Sequence, residues 1–424
     1  MRSDVVMQPT TIRTGEPREL LALIPFQLGF EPRESAVVVS LRSPRSRVGL
    51  VARVDLADLA DPDRGPQVAR SLVSHLVADG ARRAVLVLYT AADLQDGPGT
   101  GQGRTAGGDP GADGGAGSAQ AVGADGGRAR LHLAAAAEYF LGEVTVWVVG
   151  PGGYFGLDCQ DRRCCPPGGR PLSDLQATEV GARMVLTGAT VAGSRADLGA
   201  IAPASSAARR SARRAAARWT ARGCGIDDGA DSADLYRWRR DGLALWRSEL
   251  GRAGSDLGPA PHDQDAVGVG AARGPRMWQP PGPAVLGRLQ AALVDILVRD
   301  AVMLGFVEGS DRVADRLIAG DGGQDVGRAL AAIIDPVAGR PPSPGRSAAA
   351  RAVLEQVVAH SPRRAQAPAA TLLAVLAWWE GDGARAGVLV GRALEAEPGY
   401  RLAALLDEAL AVGMSPGWLR AGVA

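Results

Sequence analysis

Every segment with a β-strand pattern lies within the first 150 residues of this chain, and helical patterns fill the remainder. Two runs rich in β-branched residues, "SAVVVSLR" and "RVGLVARVDL", are separated by the turn "SPRS", which predicts an antiparallel hairpin with Ser35 opposite Asp55. Two further strands, "RAVLVLYT" and "EVTVWVVG", each follow an amphipathic helical segment. Strands that alternate with helices in this way predict a layered α/β domain over residues 17–200.

A short helix is predicted at the start of this domain, over residues 17–28, with Pro25 restarting it. Residues 1–16 before it are predicted to be a flexible N-terminus. A Gly-rich stretch, 96–127, contains 13 glycines and hardly any apolar residue. Such a segment cannot bury enough surface to offset its ordering entropy, so a disordered insertion is predicted ahead of a helix at 129–141.

Beyond the α/β domain the patterns are helical, which predicts an all-α C-terminal domain. We expect a helical connector over 201–250, a polar Gly/Pro linker over 251–283 and a helical domain over 284–424. The segment that starts at Pro283 is predicted to form one long amphipathic helix.

Arg299 and Asp300 are adjacent in that predicted helix. Neighbouring positions of a helix point about 100° apart, so we expect each side chain to bond to another helix rather than to its neighbour.

Residues 365–412 resemble a tetratricopeptide repeat in the spacing of small residues and proline. The matching positions are Ala374, Ala386, Ala393 and Pro398. Small residues let two antiparallel helices approach closely, and a proline ends the second helix before the next begins. One repeat cannot build the concave groove of a solenoid, so a helical hairpin is predicted. Packing within the domain and binding of a partner peptide are its two alternative roles.

Positive and negative side chains nearly cancel, and the formal net charge is +1. A neutral chain argues against a dedicated nucleic-acid binder, which carries a basic excess. No apolar run approaches the roughly 18 residues of a membrane span, and the N-terminus lacks the apolar core of a signal peptide. We therefore expect a cytoplasmic protein without nucleic-acid or membrane partners, in which thiols stay reduced.

Three of the four cysteines, Cys159, Cys164 and Cys165, lie in one short segment, "LDCQDRRCCPPGGR". Thiolates at such spacing can hold zinc, although adjacent cysteines are expected to diverge and a further ligand is required. Candidates for that ligand are His132, Cys224, Asp158 and Asp161. Two other readings stay open: arginines beside the thiols would favour a reactive thiolate, and buried cysteines would simply pack as small apolar side chains.

A second candidate site combines Ser35, Arg53 and Asp55. The hairpin brings Ser35 close to Asp55, and Arg53 shares a sheet face with Asp55 because side chains alternate along a strand. This group could bind a small polar ligand, or it could be an ion pair that closes the end of the hairpin. No histidine lies near enough in the chain to support a serine-hydrolase triad.

Several stretches in order, among them "LLALIPFQLGFEPRESAVVV", "CQDRRCCPPGGRPL", "GSRADL" and "LVRDA", resemble the actinobacterial family known as domain of unknown function 4192. The resemblance runs from about residue 18 to 412 and omits the Gly-rich insertion and much of 220–283. It implies an actinobacterial, cytoplasmic protein, and it implies no activity.

The sequence contains no complete catalytic constellation. We therefore expect a non-catalytic interaction or regulatory module that binds another protein through its C-terminal helices. The alternative is a metalloprotein, with zinc as the cofactor, or a thiol-dependent enzyme that uses the cysteine segment at the edge of the α/β domain.

Overall fold

The computed structural model describes residues 16–43, 46–91, 123–166, 168–186, 188–227, 232–257 and 278–421. The chain forms two compact units, Met1–Asp197 and Leu198–Ala424. The first contains a five-stranded sheet with helices, and the second is helical throughout its described part. The predicted α/β domain followed by an all-α domain is therefore confirmed. Residues 1–15 of the predicted flexible N-terminus, 96–122 of the insertion and 258–277 of the linker lie outside the described residues.

The first unit alternates strands and helices, as its hydrophobic pattern predicts. Its elements are α1 (Pro17–Leu28), β1 (Ser35–Arg42), β2 (Arg47–Asp55), α2 (Leu56–Ala60), α3 (Gly65–Ala78), β3 (Ala81–Tyr89), α4 (Gly123–Ala137), β4 (Val144–Gly150), β5 (Gly153–Gly156), α5 (Ser173–Gln176) and α6 (Glu179–Leu186).

Two helix boundaries in this unit differ from the prediction. Helix α1 runs continuously through Pro25, because a proline near the end of a helix removes a single hydrogen bond. Helix α4 begins at Gly123, so the last five residues of the predicted disordered insertion are helical. Asp125 near the start of α4 pairs with Arg128 at 2.7 Å, and an acidic residue in the first turn favours the helix.

The sheet has the strand order β2-β1-β3-β4-β5. Strand β1 is antiparallel to β2 and β3, β3 and β4 are parallel, and β4 and β5 are antiparallel. The register of β1 and β2 places Ser35 opposite Asp55, as predicted. Strand β5 was not predicted, because glycines flank its two aromatic residues and weaken the strand pattern.

The two faces of the sheet are both covered. Ala36, Val38 and Leu86 point to the face where α2, α3 and α4 pack. The alternate residues, such as Val37 and Val87, point to the opposite face and are also fully buried. Helix α1 contacts α5, α6 and β2, and five successive residues of it, 20–24, are buried. The unit is therefore layered, with helices on both faces of the sheet.

The second unit consists of helices joined by short connections. They are α7 (Ser206–Asp227), α8 (Ser232–Leu257), α9 (Pro283–Ala292), α10 (Ile296–Leu304), α11 (Asp311–Ile318), α12 (Gln324–Ile334), α13 (Pro344–His360), α14 (Ala367–Trp379), α15 (Gly383–Ala396), α16 (Arg401–Ala411) and α17 (Gly417–Ala421). Helix α8 extends to Leu257, beyond the predicted end of the connector at residue 250.

The single long helix predicted from Pro283 is wrong. The chain breaks between α9 and α10, where the Asp295 carboxylate accepts a hydrogen bond from the backbone N–H of Val298 at 3.1 Å. An aspartate that caps the next helix in this way competes with continuation of the previous one.

Helix α14 forms the centre of the second unit, and all 13 of its residues are buried. Ala374, Ala386 and Ala393 are each fully buried, which suits the close approach expected from the small-residue spacing. Whether the hairpin belongs to the tetratricopeptide class stays a prediction. Within the described residues, no helix has the length and apolar character that a bilayer crossing requires.

Candidate functional site

The cysteine segment is folded back on the edge of the sheet directly after β5. The Leu157 N–H donates to the Val146 carbonyl at 2.9 Å, and the Cys159 N–H donates to the Gly156 carbonyl at 3.1 Å. The carbonyl of Asp161 then accepts from the N–H groups of Cys164 and Cys165 at 3.0 and 2.8 Å. This turn returns the second half of the segment to the start, and so it brings cysteines five and six positions apart together.

The Sγ atoms of Cys159, Cys164 and Cys165 lie within 4.8 Å of one another, and we call this group the cysteine triad. The Cys164 and Cys165 sulfurs are 4.0 Å apart. Two thiolates on a tetrahedral zinc ion, with Zn–S bonds of about 2.3 Å, lie about 3.8 Å apart. The expected divergence of the adjacent cysteines is therefore wrong, because the turn around Asp161 rotates both side chains to one side.

The immediate surroundings of Cys165 disfavour a free reactive thiolate. The N–H of Gly156 points at the Cys165 sulfur, at 3.3 Å. Burial and, after it, the neighbouring thiols raise the pKa of Cys165 to about 12, although the Gly156 hydrogen bond opposes the rise. A bare thiolate at Cys165 is thus disfavoured near neutral pH, whereas a divalent cation would supply the missing positive charge.

The predicted ligands His132, Asp158 and Asp161 do not join the triad. In the described part of the chain, no further His, Cys, Asp or Glu ligand atom lies within the same 4.8 Å group. His132 Nδ1 lies 2.9 Å from the Leu59 carbonyl oxygen, and Asp158 pairs with Arg130 at 2.7 Å. The side chain of Cys224 lies outside the described residues. Among the described residues the triad therefore offers three ligand atoms.

Ser35, Arg53 and Asp55 form a connected chain of hydrogen bonds. The Ser35 hydroxyl is buried, donates to the Arg33 carbonyl at 2.6 Å and accepts from Arg53 Nε at 2.8 Å. The Arg53 guanidinium also donates to Asp55 Oδ1 at 2.6 Å. The Ser35 proton thus faces a carbonyl oxygen and not a base, so this serine is arranged as a structural clamp rather than as a nucleophile.

The family model for the domain of unknown function DUF4192 matches residues 17–320 and 342–417. The chain belongs to this family. No curated protein and no solved structure matches the chain. The cysteine triad and the group formed by Ser35, Arg53 and Asp55 both lie within the first matched range, residues 17–320.

Replacing Ser35 by Ala is expected to lower the free energy of unfolding by about 1–2 kcal/mol, because Arg53 Nε and the Arg33 carbonyl each lose a partner. Ser71, exposed on α3, provides a matched control, and its change to Ala should stay within about 0.5 kcal/mol. Urea unfolding followed by circular dichroism measures both. Equal effects at the two serines would show that the clamp contributes nothing to stability.

Arg299 and Asp300 do pair, contrary to the prediction. Arg299 Nε donates to Asp300 Oδ1 at 2.8 Å, and its Nη1 donates to the Tyr400 hydroxyl at 3.1 Å. The arginine side chain is long enough to bend back towards its neighbour. The directions of the two backbone positions therefore do not prevent Arg299 from pairing with Asp300. The arginine side chain is largely buried and joins α10 to the start of α16.

Sequence reasoning missed a cleft at one end of the sheet. It has a volume of about 840 Å³ and lies between α1, the segment before β1, the ends of β3 and β4, and helices α5 and α6. The cleft is formed by four parts of the chain that are distant in sequence, so no local sequence pattern predicts it. Its position beyond the carboxyl ends of two parallel strands is where ligands bind in open α/β sheets.

Proposed function

We propose that this protein binds a zinc ion through the thiolates of Cys159, Cys164 and Cys165. The observation that carries the proposal is the approach of three sulfur atoms to within 4.8 Å of one another. The three cysteines are free thiols. The triad needs a contraction of about 1 Å or less to reach the spacing of ligands around tetrahedral zinc.

The choice of zinc follows from the donor atoms. Soft thiolate ligands select zinc, copper(I) or iron–sulfur clusters, and three cysteines with one further ligand are among the usual ligand sets of zinc. Three thiolates carry three negative charges, of which the metal ion neutralises two. The Gly156 N–H, which donates to the Cys165 sulfur, stabilises part of the remaining charge.

Three protein ligands and an open fourth position are typical of reactive zinc sites, whereas structural sites have four protein ligands. A water or a substrate thiol at the fourth position would make the site reactive, and a fourth protein ligand would make it structural. The role of the metal therefore depends on the identity of the fourth ligand. A reducing compartment such as the predicted cytoplasm would keep the thiols available.

Elemental mass spectrometry of the full-length protein, purified under reducing conditions without chelator, tests the proposal. We expect about one zinc ion per chain in the wild-type protein and little zinc in Cys159→Ser or Cys165→Ser, because each change removes one of three ligands. In a thiol count on the same samples, the three triad thiols should react slowly until a chelator is added.

Two further variants serve as controls. His132→Gln should keep its zinc, since the His132 ring is bonded to the Leu59 carbonyl. Cys224→Ser should also keep its zinc, because the proposal places the ion on the three cysteines of the triad. A wild-type protein without metal, with all four thiols equally reactive, would refute the proposal.

The predicted binding of another protein by the C-terminal helices stays a prediction. Helix α14 is buried on all sides, so a partner would have to contact the outer helices. Leu405 on α16 is 52% exposed, but single exposed apolar side chains are normal on protein surfaces and do not mark a contact.

A further inference from the structure

The cleft at the end of the sheet is lined mainly by apolar side chains. They include Leu21, Phe26, Leu172, Leu175 and Val185. A volume of about 840 Å³ lies within the range of small-molecule sites. Most side chains on the walls formed by α1, α5 and α6 are apolar, so the cleft suits a ligand with an apolar body.

Two charged side chains, Glu31 and Arg33, lie exposed at the rim of the cleft and have no partner among the described residues. In the described part of the chain, the Glu31 carboxylate and the Arg33 guanidinium have neither a hydrogen bond nor an ion-pair partner. They stand two positions apart, with the buried Pro32 between them. Opposite charges that both line one cleft and do not pair with each other can accept two opposite charges of one ligand.

The backbone that carries these charges is held rigidly. The Glu31 N–H donates to the Ala192 carbonyl at 2.9 Å, and the Arg33 carbonyl accepts from the Ser35 hydroxyl at 2.6 Å. The Glu34 carbonyl accepts from the Leu56 N–H at 3.0 Å, and the Glu34 carboxylate accepts from the Ala91 N–H. The backbone of this rim is therefore ordered before a ligand binds, and only the two side chains lose conformational freedom on binding.

Glu34 adds a second sign of a built site. Its φ angle is 41°, in the left-handed region that a residue with a side chain adopts at a cost of about 1–3 kcal/mol. The conformation lets its carboxylate reach Ala91, at the end of β3. The hydrogen bond from Ala91 therefore ties the residue after Arg33 to the end of β3, where the cleft lies.

We propose that this cleft binds a small zwitterion with an apolar body, such as a short apolar peptide. Its ammonium group meets Glu31, its carboxylate meets Arg33, and its apolar side chains enter the space between α1, α5 and α6. This site is separate from the cysteine triad, and binding there does not depend on the metal.

Calorimetric titration of the full-length protein with three forms of one dipeptide tests the charge assignment. The probes are phenylalanyl-leucine with free termini, its N-acetyl form without the ammonium charge, and its C-terminal amide without the carboxylate. We expect the free dipeptide to bind most tightly, by about two- to fivefold per charge, because partly exposed ion pairs contribute modestly. Glu31→Gln should weaken the free dipeptide and the amide but not the N-acetyl form. Arg33→Gln should weaken the free dipeptide and the N-acetyl form but not the amide.

A pair of neighbouring residues on α6 provides the matched control for the location. Val185 lines the cleft and is 63% exposed, so Val185→Trp should fold and reduce binding of all three probes. Leu186 does not line the cleft and is 87% exposed, so Leu186→Trp should leave binding unchanged. Failure of the free dipeptide to bind at about 1 mM, equal effects of the two tryptophans, or charge variants that act alike on all probes would each overturn the proposal.

Discussion

Chelation of zinc from the full-length protein is expected to lower the unfolding midpoint of the α/β unit. Zinc binds the folded triad and has no comparable site in the unfolded chain, so its binding free energy adds to stability. At free zinc of about one hundred times the dissociation constant, the contribution is about 2.7 kcal/mol. For a unit of this size that corresponds to a shift of about 5–10 °C. Differential scanning calorimetry with and without chelator measures it.

The control for this experiment is the protein with all three triad cysteines changed to Ser. It should unfold at the midpoint of the chelated wild-type protein or below it, and chelator should no longer shift that midpoint. A chelator effect of the same size in both proteins would place the metal elsewhere. An unfolding midpoint of the wild-type protein that chelator does not change would contradict the proposed zinc site.

Replacing Gly287 by Ala is expected to destabilise the helical unit strongly. A Cβ atom at Gly287 would lie 2.0 Å from the Ala212 carbonyl oxygen and 2.7 Å from its carbonyl carbon. These atoms belong to the backbone of α7, so the clash is relieved only by moving α9 away from α7. Overpacking of this kind costs about 3 kcal/mol, which should appear as a lower urea midpoint.

Gly251 in α8 offers the matched control, because a Cβ atom there meets nothing within 4 Å. Its change to Ala should stabilise the protein by about 0.5–1 kcal/mol, since alanine has the higher helix propensity. Destabilisation by Gly287→Ala together with stabilisation by Gly251→Ala would confirm the close approach of α7 and α9. Stabilisation at both would show that these helices are not in backbone contact.

The fold was predictable where hydrophobic periodicity determines it. β-branched runs with a short turn specify the β1–β2 hairpin, and the buried face then fixes the pairing of Ser35 with Asp55. The break at Asp295 was missed, because a capping aspartate within an apolar periodic segment resembles an ordinary polar position. Strand β5 was missed because four residues are too few for a periodic signal.

The candidate sites were predictable only as far as they are local in sequence. The cysteine segment was recognisable by composition, and the hairpin register predicted the approach of Ser35 to Asp55. The approach of the Cys164 and Cys165 sulfurs depends on the turn around Asp161, whose carbonyl accepts two N–H groups. The cleft depends on Glu31, α5 and α6, which are far apart in sequence and meet only in the folded unit.

The segment that carries the cysteine triad also covers one of the two edges of the sheet, the edge formed by β5. Strand β5 is the last strand, and a last strand offers unpaired backbone groups to other molecules. Tyr154 and Arg170 exchange two backbone hydrogen bonds of 2.8 Å, so the returning chain occupies that side. A Cβ atom at Gly153 would lie 2.4 Å from the Arg170 carbonyl oxygen, so glycine is required there. The segment that holds the three thiols thus also keeps the backbone of Tyr154 from pairing with another molecule.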